Sequence, residues 1–474
     1  MKKLILVPAL LLAFLAEGKV RLPALFGDNM VLQQQTSVRI WGWGDKGKTI
    51  VVTPSWSKTS AKTIVDPDGR WALHVNTPAA KAGASYTLTV SDGGQATTIG
   101  NVLVGEVWIC SGQSNMEMRL SGNNGQPVRG SMQEVLASSR YGDLIRTIDV
   151  PNKGSDTPVD DFEGRWLAAS PSTAAGFSAT AWFFARNIVD ATGIPVGIVR
   201  SDWGGTRIEA WMDEASVARV ETPAQVEALR KSKAMAKLYN GMINPIAGYA
   251  ARGFLWYQGE ANRSNYGDYA ALMKEMVALW RNRWDDKSDS MPFYYVQIAP
   301  YSYGVKNDTR SGLLVEAQVK AMSLIPNSAL AATNDAGEEF CIHPAAKDLV
   351  GLRLALLALV RDYRVLKIDT MGPLFKAVSY DKNVAKVTFT NASTGLFCQG
   401  REAQGFEIAG EDRVFYPARA EIKDQAGAVH LTSDKVAQPV AVRYAFRNFI
   451  PADLQNSWGL PAFPFRTDDW DDVK

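Results

Sequence analysis

Ser114 and His343 are the residue types that nucleophilic catalysis uses. A serine hydroxyl is a poor nucleophile until a neighbouring base takes its proton, and histidine is the usual base because its pKa lies near neutral pH. The chain has three histidines. His74 and His430 alternate with apolar residues in strand-like runs, which predicts that they lie on polar strand faces. His343 stands in a loop before Pro344, so we expect Ser114 to be the nucleophile and His343 its general base.

Acyl transfer also needs hydrogen-bond donors for the negative oxygen that develops on the carbonyl. Backbone N–H groups and an Asn or Gln side chain are the usual donors. Gly205 in WGGTRIEAW and Asn262 in YQGEAN are the candidates, together with the backbone of Ser114 itself. Ser114 does not stand in GxSxG, because the fifth position is Met116, so the elbow of α/β-hydrolases is not indicated.

The elements that must position these residues form an alternating pattern between about residues 101 and 363. Apolar β-rich runs (VLVGEVWIC, VGIVRSD, GFLWYQG, FYYVQIAP and SALAATN) alternate with stretches of helical periodicity (AWFFARNIVDA, YAALMKEMVALWRNRW and KDLVGLRLALLALVRDY). This pattern predicts a parallel sheet with helices on its faces. Ligands bind beyond the carboxyl ends of such strands. Because the candidate residues follow four of these runs, we expect them to meet at one edge.

Short alternating runs with turn residues flank this region on both sides and predict a β-sandwich at each end. A single core stops growing at about 250 to 300 residues, so several domains are expected in 474 residues. We expect a signal peptide at 1–18, an N-terminal β-domain at 19–100, a catalytic domain at 101–363 and a C-terminal β-domain at 364–474.

The N-terminal segment MKKLILVPALLLAFLAEGKV has two lysines, an apolar run from Leu4 to Leu15, and small residues at Ala16 and Gly18. These features predict a cleaved signal peptide and a secreted or periplasmic protein. The apolar run is shorter than the ~20 residues that span a bilayer, so no membrane span is expected.

The charge pattern and the cysteines exclude several functions. The net charge of +2 says almost nothing about partners, but no Lys/Arg-rich run is interleaved with aromatics, which argues against a nucleic-acid partner. The three cysteines, Cys110, Cys341 and Cys398, form no CxxC pair. No disulfide framework, zinc site or other cofactor is therefore expected.

GWGDKGKT at residues 42–49 fits the phosphate-loop pattern GxxxxGK[ST]. That motif works only between a strand and a helix. The following residues, TIVVTPSW, have the pattern of another strand, so we interpret the segment as a hairpin turn.

Two other classes of function use some of the same residues. A pair of carboxylates could hydrolyse a glycosidic bond, and the available ones are Glu260, Asp335, Glu338 and Glu339. This alternative leaves the serine, histidine, glycine and asparagine unexplained. A non-catalytic sugar-binding protein would instead stack aromatic side chains on sugar rings, the candidates being Trp203, Trp211, Trp256 and Tyr257. Trp211 and Trp256 stand within apolar patterns, so we expect both in the core.

Long segments of the chain resemble the sialate O-acetylesterase family, a branch of the SGNH-type hydrolases. The similar segments are LPALFGDNMVLQQ, VWICSGQSNMEM, WGGTRIEAWM, LYNGMINPI, GFLWYQGEAN, PFYYVQIAP, CIHPAAK with GLRLAL, and WGLPAFPFRTDDW. The resemblance implies a three-layer αβα domain with a mainly parallel sheet and esterase activity on acetylated sugars. It also implies that Ser114 is the nucleophile and His343 the base. The other site residues it implies are the oxyanion donors Gly205 and Asn262 and the site-shaping residues Gln113, Gly204 and Glu260.

One position departs from the pattern of SGNH hydrolases, which usually place an aspartate three residues before the histidine to orient its ring. Here that position is Phe340. The ring could instead be oriented by a backbone carbonyl or by one of three nearby carboxylates, Asp335, Glu338 and Glu339. We predict that substitution of Asp335 or Glu339 is milder than substitution of His343.

The resemblance points to O-acetylated sialic acid as substrate, with acetylated plant polysaccharide such as xylan as the alternative. A sialic acid carries a carboxylate, so a cation near the oxyanion residues should help to bind it. Arg207 and Arg263 are the candidate cations, and Trp203 is a further candidate for contact with the sugar.

Overall fold

The computed structural model describes residues 20–232, 234–305, 307–424 and 427–470. The predicted signal peptide at 1–18 lies outside these described residues. A mainly parallel sheet with helices on both faces occupies the middle of the chain, and separate antiparallel sheets follow it. The predicted fold class is therefore confirmed. Within the described ranges, no helix has the length and apolar character needed to cross a membrane.

The N-terminal region consists of short strands with alternating burial. They are β1 (Val31–Gln33), β2 (Ser37–Trp43), β3 (Thr49–Pro54), β4 (Ala61–Ile64), β5 (Arg70–Asn76), β6 (Tyr86–Ser91) and the first part of β7 (Ala96–Gly112). β2 pairs with β5, whereas β3 pairs with β4 and β6. The GWGDKGKT segment thus joins two strands that do not pair with each other. It is a turn between strands, as predicted, but not a hairpin turn, and no helix follows it.

Strand β7 connects the N-terminal region to the central sheet. Residues 96–102 of β7 include the positions that pair antiparallel with β6. Residues 106–112 of β7 pair in parallel with β10 (Val196–Asp202). The predicted domain boundary after residue 100 falls inside this strand. Its last part is apolar on both faces, since Val107 and Ile109 enter one core and Trp108 and Cys110 the other. This is why the sequence shows a continuous apolar run there.

The remaining elements of the middle region alternate between helix and strand. In chain order they are α1 (Ser114–Glu117), α2 (Ser131–Ala137), β8 (Ile145–Asp149), β9 (Leu167–Ala168), α3 (Ala179–Thr192), then β10, α4 (Glu214–Val217), α5 (Pro223–Lys231), β11 (Gly253–Tyr257), α6 (Tyr266–Arg283), β12 (Phe293–Val296), α7 (Arg310–Leu324), β13 (Ser328–Ala331) and α8 (Lys347–Arg361). The sheet order is β13-β12-β11-β7-β10-β8-β9, with only β9 antiparallel to its neighbour. Helices α3 and α8 pack on one face, and α6 and α7 contribute to the core on the other.

The C-terminal region is a set of antiparallel strands around a separate apolar core. They are β14 (Leu374–Asp381), β15 (Val384–Thr390), β16 (Leu396–Phe397), β17 (Phe406–Ala409), β18 (Tyr416–Pro417), β19 (Arg419–Asp424), β20 (Ala428–Thr432), β21 (Ala441–Tyr444), β22 (Gln455–Asn456) and β23 (Phe465–Arg466). They form the sheets β14-β15-β20-β19 and β18-β17-β21-β23 and the pair β16-β22. The three cysteines are free thiols.

Candidate active site

Ser114 lies at the carboxyl edge of the sheet, where β7 ends and the short helix α1 begins. The preceding residue, Gln113, is buried and ties two strand ends together. Its backbone N–H donates to Tyr257 O at 2.9 Å, and its Oε1 accepts from the Ala261 N–H at 3.2 Å. The Trp203 N–H donates to the last carbonyl of β7 at 3.1 Å. The ends of β7, β10 and β11 therefore surround Ser114, which is half-buried.

The glycine loop after β10 packs directly against the nucleophile. The Gly204 N–H donates to Glu117 Oε2 at 2.7 Å. A Cβ on Gly204 would lie 2.8 Å from that oxygen and 3.3 Å from the Ser114 Cβ, so a larger residue would require the Glu117 side chain to move and would crowd Ser114. Gly205 has φ 71°, a left-handed conformation that glycine adopts at little cost.

Asn262 is fully buried and its amide orientation is fixed. Its Oδ1 accepts from the Ile208 N–H at 3.0 Å and from Gln258 Nε2 at 2.8 Å, while its Nδ2 donates to Glu209 Oε2 at 2.9 Å. An amide nitrogen carries two hydrogens, so one is left for a further acceptor. The bond to Ile208 joins Asn262 to the loop that carries Gly205, so the structure brings these two oxyanion candidates into one region.

His343 lies half-buried in the loop before α8, close to the nucleophile segment. Asn115, which follows Ser114, donates through Nδ2 to the carbonyl of Ile342 at 3.1 Å. Nδ1 of His343 lies 2.7 Å from Gln126 Oε1. Burial lowers the pKa of His343, and Lys347 lowers it further. The ring is therefore held by a neutral amide in an environment that favours its uncharged form.

The three carboxylates considered as orienters have other positions. Asp335 forms a two-pronged ion pair with Arg353, with distances of 2.7 and 2.6 Å. Glu338 accepts from the Ala345 N–H at 2.7 Å, and Glu339 lines a separate cleft that includes Phe340. The structure thus places Gln126, and none of these carboxylates, on Nδ1 of His343.

The sequence analysis missed Gln126. The residue is 217 positions away from His343 along the chain. It belongs to a tight turn in which Asn123 and Gln126 exchange two backbone hydrogen bonds of 2.9 Å. The only local signal is the turn-forming sequence NNGQ, which predicts a turn but no partner for a histidine.

Glu260 binds the residue that follows Ser114. Glu260 is partly buried, its Oε2 is shielded from solvent, and its Oε1 accepts from Asn115 Nδ2 at 2.7 Å. Burial raises the pKa of Glu260. Through this bond the carboxylate supports the segment that carries Ser114. Two of the carboxylates considered for glycosidic-bond hydrolysis therefore have structural partners: Glu260 accepts from Asn115, and Asp335 is paired with Arg353.

The two candidate cations differ in accessibility. The Arg207 guanidinium binds Glu209 through Nε at 3.1 Å and also through Nη2, and 36% of its side chain is exposed. Arg263 has only 13% exposure, since it pairs with Asp308 at 2.9 Å and stacks on the ring of Tyr303. Of the two, Arg207 is the one that reaches an open surface.

A groove of about 440 Å³ lies beside Gly205. The side chains that line it are mainly apolar or small, and include Trp203, Arg207, Ala210, Ala234 and Leu238. Trp211, Trp256 and Tyr257 are fully buried, as expected for the first two. Among the aromatic candidates, Trp203 is therefore the one that lines this groove.

Comparisons with known proteins identify the family to which the chain belongs. A family model described as "Carbohydrate esterase, sialic acid-specific acetylesterase" matches residues 104–358. Sialate O-acetylesterases from Mus musculus and Pongo abelii are 27% and 26% identical, over 75% and 94% of this chain and 76% and 92% of their own lengths. The crystal structure of a carbohydrate acetylesterase from Xanthomonas citri has a TM-score of 0.86 and 36% identity, covering 95% of this chain and 100% of that one. The chain therefore belongs to this carbohydrate esterase family and is an esterase, with carbohydrate acetylesterase activity.

Proposed function

We propose that the protein hydrolyses O-acetyl esters of sugars through an acetyl-enzyme on Ser114, with His343 as general base. The hydrogen bond between His343 Nδ1 and Gln126 Oε1 is the observation that carries this proposal. An amide oxygen only accepts hydrogen bonds, so a bond to it requires the ring hydrogen on Nδ1 and leaves the lone pair on Nε2. That tautomer is the one that a serine nucleophile requires.

In the first half of the reaction, Ser114 Oγ attacks the acetyl carbonyl while His343 Nε2 takes the hydroxyl proton. The N–H groups of Gly205 and Ser114 and the remaining hydrogen of Asn262 Nδ2 bind the oxyanion. Collapse of the tetrahedral intermediate breaks the bond to the sugar oxygen, which receives the proton from His343. Water then attacks the acetyl group by the same route and releases acetate and free Ser114.

The neutral orienter has a consequence for pH dependence. Gln126 holds the tautomer but offers no negative charge to the imidazolium, and burial lowers the pKa of His343 below its ordinary value of about 6.5. A general base acts in its neutral form. A lowered pKa therefore extends activity to mildly acidic pH, with the acidic limb of kcat/KM below pH 6.5.

The first candidate substrate is an O-acetylated sialic acid. Curated relatives are sialate O-acetylesterases. In this chain Arg207 lines the groove beside Gly205, and Glu209 holds one edge of its guanidinium. A fixed guanidinium is suited to a carboxylate. Arg207 would bind the sialic acid carboxylate and Trp203 would contact the sugar ring.

A neutral acetylated polysaccharide such as xylan is the second candidate, and the same groove favours it through a different feature. Glu209 offsets the charge of Arg207, and the neighbouring wall contains Ala210, Ala234 and Leu238. Lys237 also lines the groove and is paired with Asp156. A groove whose cations are offset by carboxylates and whose neighbouring wall is apolar suits a neutral sugar.

The N-terminal segment supports a further part of the proposal, namely that the protein is secreted or periplasmic. Its two lysines, apolar run and small residues are the features of a cleaved signal peptide. N-terminal sequencing of protein exported by a bacterial host should begin near residue 19. An intact Met1 on the exported protein would contradict cleavage.

The function is tested by acetate release from O-acetylated sialic acid and acetylated xylan, using the wild type and Ser114→Ala. Ser111→Ala is a matched control, because the Ser111 hydroxyl is buried on β7, the strand that leads to Ser114, without a hydrogen-bond partner among the described residues. We expect Ser114→Ala to abolish release and Ser111→Ala to retain it. Equal release by wild type and Ser114→Ala would refute the serine mechanism, and the substrate that is hydrolysed identifies the sugar.

A further inference from the structure

Asn115 links the nucleophile to the base through its side chain. It directly follows Ser114 and is fully buried. Nδ2 donates to Glu260 Oε1 at 2.7 Å and to the carbonyl of Ile342 at 3.1 Å. Oδ1 accepts from Lys347 Nζ at 2.8 Å. One amide therefore contacts the residue before His343 and a buried lysine.

Lys347 completes the connection on the other side of His343. It is the first residue of α8, its side chain is fully buried, and Nζ also donates to the carbonyl of Pro344 at 2.8 Å. A lysine is almost never fully buried without partners, because desolvating its ammonium is costly. Here its partners are the residue after Ser114 and the residue after His343.

We propose that Asn115 and Lys347 are positioning residues that hold the backbone on both sides of His343 in register with Ser114. The inference rests on the proposed roles of Ser114 and His343. Asn115 binds the carbonyl before the base, Lys347 binds the carbonyl after it, and the two side chains bind each other. A displacement of about 1 Å in such a site costs about 100-fold in rate.

The charges around this pair set its pH behaviour. Burial lowers the pKa of Lys347 to about 7, while Glu260, Cys341 and Glu338 act in the opposite direction. Below pH 7 Lys347 is mainly charged and lowers the pKa of His343, which Glu117 raises. Removing the lysine should therefore raise the pKa of His343.

The test compares Lys347→Met/Glu260→Gln with Glu260→Gln alone. Loss of the lysine by itself would leave Glu260 as an uncompensated buried charge, whereas the double variant balances the charge and leaves an acceptor for Asn115. For the double variant we expect a kcat about 100-fold below that of Glu260→Gln and an unchanged KM. We also expect its acidic limb of kcat/KM to lie at higher pH than that of Glu260→Gln. A kcat within threefold of Glu260→Gln with an unmoved limb would show that Lys347 only balances charge, and would overturn the proposal.

Arg281→Met is the matched control for removing a buried cation. Arg281 donates to the carbonyls of Met291 and Pro326 and pairs with Asp286 and Asp289 at 3.8 and 3.5 Å, none of which belongs to either catalytic segment. The Arg281→Met substitution should lower the free energy of unfolding without changing the pH profile of activity.

Asn115→Ala keeps the inference testable if the double variant does not fold, because it leaves the bond from Lys347 to Pro344 in place. It should lower kcat by about 10- to 100-fold with KM unchanged, and an unchanged kcat would overturn the proposal.

Ser114→Ala in the same assay separates the two hypotheses. If Ser114→Ala still releases acetate, the proposed function fails. If it is inactive while both Lys347→Met/Glu260→Gln and Asn115→Ala keep kcat, only the positioning role fails.

Discussion

The nucleophile and the base reach the same edge of the molecule by different means. Ser114 begins a helix two residues after the end of β7, so the ladder of the central sheet sets its position. His343 lies in a loop between β13 and α8 and is placed by side chains from elsewhere, namely Asn115, Lys347 and Gln126. The first location depends on a regular element, and the second depends on a few individual hydrogen bonds. Substitutions around the base should therefore change rate and pH dependence in separable ways.

The largest expected effect is on the base itself. His343→Ala should lower kcat by about 10⁴- to 10⁶-fold with the fold retained, because Ser114 then has no proton acceptor. His74→Ala is the control, since His74 is exposed on β5. Acetate release under saturating substrate measures both. A His343→Ala enzyme within tenfold of the wild type would mean that another group is the base.

The next effect concerns the orienter of the base. Gln126→Ala should lower kcat by about 10- to 100-fold, less than the roughly 10⁴-fold lost when a serine protease loses its carboxylate orienter. Gln126→Glu should keep the tautomer and add a negative charge beside the ring. An opposite charge raises the pKa of a histidine, so the acidic limb of kcat/KM should move up by about one pH unit. If the limb stays in place for Gln126→Glu, the bond from Nδ1 to Gln126 is not present during catalysis.

A smaller effect on activity is expected for Asp335 and Glu339, the carboxylates that the sequence suggested as orienters of the His343 ring. Asp335→Asn should leave the pH profile unchanged and lower the free energy of unfolding by about 1–2 kcal/mol, because buried Arg353 loses its partner while Asp335 is 35% exposed. Glu339→Gln should change neither property. Chemical denaturation and a pH–rate profile measure the two quantities. A loss of activity in Asp335→Asn equal to that in His343→Ala would make Asp335 the missing partner after all.

Much of the fold could be predicted from the sequence because its signals are local. The apolar runs that became β7, β10, β11, β12 and β13 are buried on both faces, and the long periodic stretches became α3, α6 and α8. Strand β8 was not predicted because it is short and contains a charged residue, Arg146. The Arg146 side chain can be buried because its guanidinium donates a hydrogen bond to the carbonyl of Asn101. Helix α7 was missed because it begins with Arg-Ser-Gly and has no strong apolar stripe.

In the candidate site, too, some residues could be predicted from local sequence signals and others could not. Ser114, Gly205 and Asn262 follow strand ends, so the topology of a parallel sheet brings them together. Gln126 comes from a surface turn and meets His343 only through the tertiary structure. An SGNH pattern directs attention to the residues just before the histidine, but here that segment turns Phe340 outward, with 85% exposure. Local spacing therefore could not identify the orienter.

The smallest expected effect lies in the groove and separates the two candidate sugars. Arg207 is paired with the fully buried Glu209, so its attraction for a substrate carboxylate is partly offset. An ion pair that Arg207 forms with a substrate at the open surface contributes only about 0–1 kcal/mol. Arg207→Gln should raise KM for O-acetylated sialic acid about three- to fivefold and leave KM for acetylated xylan unchanged. Arg219→Gln is the control, because Arg219 is an exposed arginine paired with Glu275 and does not line the groove. An equal KM for sialic acid in wild type and Arg207→Gln would remove Arg207 from substrate recognition and favour a neutral sugar, since Lys237, which also lines the groove, is paired with Asp156.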